Sequence, residues 1–358
     1  MINKKKVTGA VLLVVLFIAA IFYGKYDKTL PDQITATGLV GSEKLDLFNN
    51  EEFKELSNKN YGITYNVGKS GSYDQIDLPK EEIEKYDFLF PSTQLASEIY
   101  KEKGFKATKE ELVFNTPIVL YTRNAIADAL VNKGVVSKNG NIYNVNMKEF
   151  AKLIESQITW EELGVSGVYG NVLIDTTDPS KTDSGVMFLG LLANSLNDGK
   201  VVDSSSIEEI KPQIISIYNQ LGYMQATNTD MFNQFLRQGV GAFPIIAGYE
   251  NQYLEFSKQN SNVFNQVKDD VVILYPTPTV WTSHVLISRN EKGNIVLESL
   301  MDSDIQKSVW KNHGFRTGVS GTNNLEEYPE IQGLPKEITN VMPMPTVDVM
   351  NELIESVK

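Results

Sequence analysis

The chain contains no cysteine. That absence excludes disulfides, thiolate metal sites and a lipid-modified N-terminal Cys. Histidine is nearly as scarce, with two residues in 358. His284 falls inside an apolar strand pattern and reads as a core or boundary residue, whereas His313 closes a helix before Gly314, where a partly cationic ring suits the dipole. Two histidines so placed make a poor metal site, so neither a metal nor a cofactor is expected. A Gly-x-Ser-x-Gly elbow is also missing, and neither His has an evident Ser and Asp beside it. A hydrolase using Ser184 or Ser42 is therefore the weakest reading, and the chain is taken as a non-enzyme. Basic clusters are absent beyond the N-terminus and the formal net charge is −12. Nucleic acid and anionic lipid surfaces are excluded as partners of the main body on that ground.

What is present begins with length. A chain of 358 residues with 42% hydrophobic content has enough material for two domains around separate cores. Lys4, Lys5 and Lys6 precede an apolar run from Val7 to Tyr23, interrupted only by Thr8 and Gly9. The pattern predicts a single-pass anchor with the positive end in the cytoplasm and the bulk extracytoplasmic. The small-residue cleavage pattern is poor, Ala19 and Ala20 being followed by Ile21 and Phe22, so the anchor is read as uncleaved. Cleavage would make the protein secreted. Gly24 to Pro31 is the tether.

Beyond it, extended and helical patterns alternate. Ile34–Val40, Ile63–Val67 and Tyr86–Phe90 read as strands, with helical spacing over Leu45–Leu56 and after Pro91-Ser92-Thr93-Gln94. This order predicts a mostly parallel sheet whose ligands sit beyond the carboxyl ends of the strands, where Gly41-Ser42 and Ser92-Thr93 fall. Val113–Thr122 is long enough to cross between domains. A helix from about Ala125, a polar turn at Ser137–Asn141 and an amphipathic helix over Met147–Ile158 follow. Asn171–Asp175, Gly241–Ala247, Val271–Tyr275 and Val280–Ser288 are further strands. Helices are expected over Ile207–Leu221, Met231–Gln238, Ile295–Trp310 and Val347–Val357.

The most informative stretch is Asp175 to Asn194, where hydroxyl, carboxylate and turn residues run directly into an apolar helical pattern. Thr182, Asp183 or Ser184 caps a helix whose first N–H groups face outward, a place that suits a ligand oxygen. Gly185 would let a ligand approach the backbone. The plainer reading is an ordinary capped helix.

Residues Glu298 to Gly318, ending Trp-Lys-Asn-His-Gly-Phe-Arg-Thr-Gly, resemble the late helix and turn of type II extracytoplasmic solute-binding proteins, where a helix with a central Gln ends at Gly-Phe-Arg. The other parts follow in that family's order: export segment, Gly-Ser loop, crossing strand with a Pro, Ser-Gly helix start, Gly-Tyr-Glu loop, and return strand at Tyr275-Pro276. The resemblance implies an α/β, two-lobed type II periplasmic-binding-protein-like fold with two hinge strands. On this division, residues 1–31 form the cytoplasmic stub, anchor and tether; 32–117 plus 279–358 form lobe 1; and 118–278 form lobe 2. It implies a membrane-tethered receptor that captures a small polar solute and delivers it to an ABC permease. A ligand-sensing or scaffold module of an envelope complex is the alternative.

Similarity to oxyanion binders places Ser42 and Ser92 or Thr93 opposite Ser184, Gly185 and Tyr249. The expected ligand set is Gly41, Ser42, Ser92, Thr93, Arg123, Thr182, Asp183, Ser184, Gly185, Tyr249 and Glu250. Hydroxyls and backbone amides suit an oxyanion or small organic anion. Asp183 and Glu250 suit an amine-bearing ligand if they face the cleft; otherwise they cap the helix or point inward. Arg123 either grips an anion or forms a salt bridge at a helix start. Tyr249, Tyr253 and Trp281 either stack on an organic ligand or pack. The adjacent tyrosines used by ferric-ion binders are missing, since Tyr249 and Tyr253 are separated.

Overall fold

The computed structural model describes residues 31–318, 321 and 323–358. The expected membrane segment, Val7–Tyr23, lies outside the described residues. Among those described, no helix is long and apolar enough to cross a membrane.

The strands are β1 Ile34–Val40, β2 Ile63–Lys69, β3 Phe88–Phe90, β4 Lys109–Arg123, β5 Val136–Asn139, β6 Ile142–Val145, β7 Ile245–Tyr249, β8 Val271–Pro276 and β9 Trp281–Ser288. They lie in the order β2-β1-β3-β9-β4-β8-β6-β5, with β7 also pairing to β4. β4 joins the two halves. Its residues as far as Pro117 run antiparallel to β9, while Ile118 to Arg123 pair with β7 and β8. The second passage is Thr277 to Val280, held to the first by Thr279 Oγ1 donating to the Ile118 carbonyl at 2.8 Å.

Side chains alternate across a strand, so each half carries a core on both faces. In the first half, Val40, Phe88, Phe90 and Leu286 point to one core; Leu39, Leu89 and Ile287 point to the other. In the second half Ile118, Leu120, Val272 and Leu274 face one core, while Val119, Tyr121, Ile273 and Tyr275 face its counterpart. Two separately filled α/β lobes follow from this alternation.

Several expectations change. The polar turn at Ser137–Asn141 is the tip of a β5–β6 hairpin. Asn171–Asp175 forms only isolated bridges, to Thr159 and Ile246, not a strand. The helix expected over Leu45–Leu56 is broken at Asn50, whose side chain accepts from Phe53 N and starts a new helix; Asp302 interrupts the Ile295–Trp310 pattern in the same way. Short polar side chains that bond nearby N–H groups compete with helix continuation, which a hydrophobic period does not register. The sequence reading puts the terminal helix, Val347–Ser356, in lobe 1 with the rest of 279–358. Its Val349, Met350 and Leu353 instead enter a core of the second lobe. Tyr328, Ile331 and Leu334 enter the other core of that lobe.

Candidate functional site

Parallel pairing of β1 with β3 aligns Val40 with Phe90, so the loops that follow, Gly41–Lys44 and Pro91–Thr93, come together. Opposite them stands the helix Asp183–Leu196, capped by Thr182, whose Oγ1 accepts from Gly185 N at 3.1 Å. β7 delivers Tyr249 to the same place. Between these parts lies a cavity of about 230 Å³, lined from one side by Gly41, Ser42 and Glu43 and from the other by Thr182, Asp183, Ser184 and Tyr249. Beside it Ser72 Oγ, from the first half, donates to Asp183 Oδ2 at 2.6 Å.

Behind the first wall is a buried ion cluster. Glu43 Oε1 accepts from both the Lys44 ammonium and Ser92 Oγ. Lys44 Nζ also lies 2.8 Å from Ser92 Oγ and 2.9 Å from His284 Nδ1. Burial alone would raise the Glu43 pKa, but the Lys44 charge and the hydrogen bonds from Lys44 and Ser92 hold the carboxyl down at about 2. Burial, then the Lys44 charge, drives His284 well below its ordinary value, so the ring is neutral.

The opposite wall is less well compensated. Burial pushes half-buried Asp183 up to about 6; Glu43 adds to the rise, and Ser72 and Lys44 oppose it without cancelling it. Ser184 Oγ is shared with Thr177 Oγ1 at 2.8 Å. Tyr249 is 3% exposed and, among the described residues, its hydroxyl has no partner within 3.5 Å, although the Thr282 and Ser184 hydroxyls are near enough to act on it; that is a costly state for a buried polar group. Burial, then the Asp183 and Glu43 charges, raises its pKa well above the ordinary value.

Of the expected ligand set, Gly41, Ser42, Thr182, Asp183, Ser184 and Tyr249 line this cavity. Ser92 stands behind it on Glu43. Thr93 turns away to cap the helix Gln94–Glu102 and lines a second cavity, of about 400 Å³, beside Trp281, Met187 and Met344. Gly185 serves packing: a Cβ there would strike the Thr177 carbonyl and Pro179, so it is the protein's own loop that approaches the helix start.

Two residues of the set are elsewhere. Arg123 bonds Asp270 and the Phe235 carbonyl and lies over the Phe235 ring, so its salt-bridge reading holds. Glu250, fully buried, is gripped by Arg316 at 2.6 and 2.9 Å and by the Tyr275 hydroxyl. It points inward because a buried carboxylate needs a matched cation, and the Arg of the Gly-Phe-Arg turn supplies one. Glu43, Lys44, His284 and Ser72 are participants that pattern reading passed over. The adjacent charges Glu43-Lys44 at a strand end were the available signal.

No protein-family model matches the chain, and no curated protein matches it in sequence. Solved structures do. An ABC transporter substrate-binding protein from Bradyrhizobium japonicum matches with a TM-score of 0.60 at 10% identity, covering 91% of this chain and 99% of that one. The substrate-binding protein of an ABC transporter from Agrobacterium tumefaciens gives 0.58 at 14% identity, over 90% and 94%. The fold is that of two-lobed solute-binding proteins. The apo ferric ion-binding protein A of Pasteurella haemolytica gives 0.55 at 11% identity, over 90% and 94%. These neighbours are binding proteins, and at such identities the likeness is one of fold.

Proposed function

We propose that the chain is an extracytoplasmic solute-binding protein, tethered through its N-terminal segment, that captures a small polar ligand between its lobes and delivers it to an ABC importer. The observation that carries this reading is the interlobe cavity with the buried, unpartnered Tyr249 hydroxyl on its wall. The ligand-contacting residues are Gly41, Ser42, Asp183, Ser184 and Tyr249, with Thr182 holding the helix start. Lobe 1 is residues 32–117 and 279–318; lobe 2 is 118–278 together with the segment from 324 onward. Closure turns on the two passages at Pro117–Ile118 and Thr277–Val280, where small dihedral changes suffice.

A ligand that binds only the folded form raises the melting temperature. A thermal-shift panel of oxyanions, amino acids, amines, peptides and sugars should give a rise for one class, and Ser184→Ala with Tyr249→Phe should weaken that response without unfolding the protein. A flat response across the panel removes the transport reading. Without a cysteine for lipidation, a sensor or scaffold role in an envelope complex stands as the second reading; copurification with a permease and its ATPase separates the two.

A further inference from the structure

Several of the donors that a bound anion would need on the two walls are already taken by the protein itself. Glu43 occupies Ser92 Oγ and the Lys44 ammonium, and its side chain folds back over Gly41 so closely that any Cβ there would strike both carboxylate oxygens and Ser92 Oγ. That loop glycine is thus required by the internal carboxylate. On the facing wall Asp183 sits in the first turn of its helix, where a negative charge complements the dipole, and takes the Ser72 hydroxyl. The Gly185 N–H is spent on Thr182.

The walls also carry acceptors that no donor satisfies. Both bonds to the Glu43 carboxylate reach Oε1, leaving Oε2 without a donor among the described residues. Asn228, also on the cavity wall, gives its Nδ2 to Gln252, and its buried Oδ1 has no partner among the described residues. The hydroxyl of Tyr249, a residue 3% exposed, has no partner within 3.5 Å among the described residues and can accept. Charge points the same way. Glu43, Asp74 and Asp183 line the cavity, with Lys44 neutralising Glu43 from behind; of the lining lysines, Lys181 is bonded to Asp178 at 2.7 Å and Lys69 is exposed at the rim. At about 230 Å³ the space holds several water volumes of roughly 30 Å³ each, enough for a small organic molecule.

We infer that the cavity takes the ammonium or guanidinium group of a small organic cation, held between Asp183 and Glu43 with the Tyr249 hydroxyl and Asn228 Oδ1 as further acceptors. This deepens the solute-binding reading and rests on it. An oxyanion would have to displace Glu43 from Lys44 and Ser92, leaving a buried lysine and a buried carboxylate unpaired.

The test is thermal shift and calorimetric titration of the full chain with putrescine, arginine and choline against sulfate, molybdate and phosphate. An amine should raise the melting temperature and bind, the oxyanions should not, and Asp183→Asn should weaken the amine at least tenfold while remaining folded. A response to an oxyanion alone overturns the ligand class and leaves solute binding standing. Amine binding unchanged in Asp183→Asn overturns the placement. Silence from all six probes overturns the cation class, and solute binding falls with it only if the wider panel is silent too.

Discussion

The two sides of the lobe junction are built differently. At the rear, Arg316 meets both oxygens of Glu250, the Tyr275 hydroxyl joins them, and the remaining guanidinium N–H groups reach the Pro335 and Lys336 carbonyls at 2.9 and 3.2 Å. Thr116 bonds Asn251, His313 meets Glu255, and Trp310 enters a core of the second lobe. At the front stand an open cavity, one carboxylate with a raised pKa and one unpartnered hydroxyl. On the proposed function the fully bonded Glu250–Arg316 pair at the rear serves as a pivot, and incompleteness at the front leaves groups for a ligand to satisfy. Adjacent residues show the contrast: Tyr249 belongs to the front and Glu250 to the rear.

The largest effect should come from breaking the rear. Arg316→Met strands a fully buried carboxylate and should lower unfolding free energy by about 3–5 kcal/mol, read by urea denaturation. If the loss is below about 1 kcal/mol, the rear is no pivot.

The two front carboxylates should then respond to pH in opposite directions. Glu43 has a folded pKa of about 2 against 4.5, so its contribution is present above about 4.5 and fades as pH falls toward 2. The advantage of wild type over Glu43→Gln should shrink on acidification. Asp183 is raised to about 6 from 3.8, so the folded state binds its proton more tightly and stability is lost as pH rises through that window. Asp183→Asn should be neutral near pH 4 and stabilising by about 1 kcal/mol at pH 7, a figure discounted from the full shift because the group is half-buried. Parallel pH profiles for the two variants would remove the distinction between a paired and an unpaired wall.

The smallest effect separates two tyrosines. Tyr275→Phe removes a donor from Glu250 and should cost about 1–2 kcal/mol, whereas Tyr249→Phe removes an unpartnered hydroxyl and should cost nothing or stabilise slightly. Equal losses in thermal melts would show that Tyr249 is satisfied in solution.

Much of the layout was legible in the chain. β1 has the predicted bounds, Ile34–Val40, and β8 and β9 fall within a residue of theirs, because alternation and β-branched composition report burial on both faces directly. The approach of Gly41–Ser42 to Ser184 and Tyr249 followed from strand ends and family order. The errors arose where a local hydrogen bond or a distant surface decided. Asn50 and Asp302 cut helices by capping, and Val347–Ser356 has an apolar face that fits either lobe until packing selects one. For Arg123 and Glu250 the cleft and the inward or salt-bridged readings both stay open in sequence, because charge type is visible there and direction is not.

Sequence by itself determined two α/β cores, the long strand that passes between them and the capped helix start at Thr182, since each depends on residues near one another along the chain. Tertiary structure alone decided which charges face each other. Lys44 lies 240 residues from His284 and 48 from Ser92, Asp183 lies 111 from Ser72, and Arg316 lies 66 from Glu250. A buried charge takes its role from the partner that compensates it, and that partner is chosen by the fold.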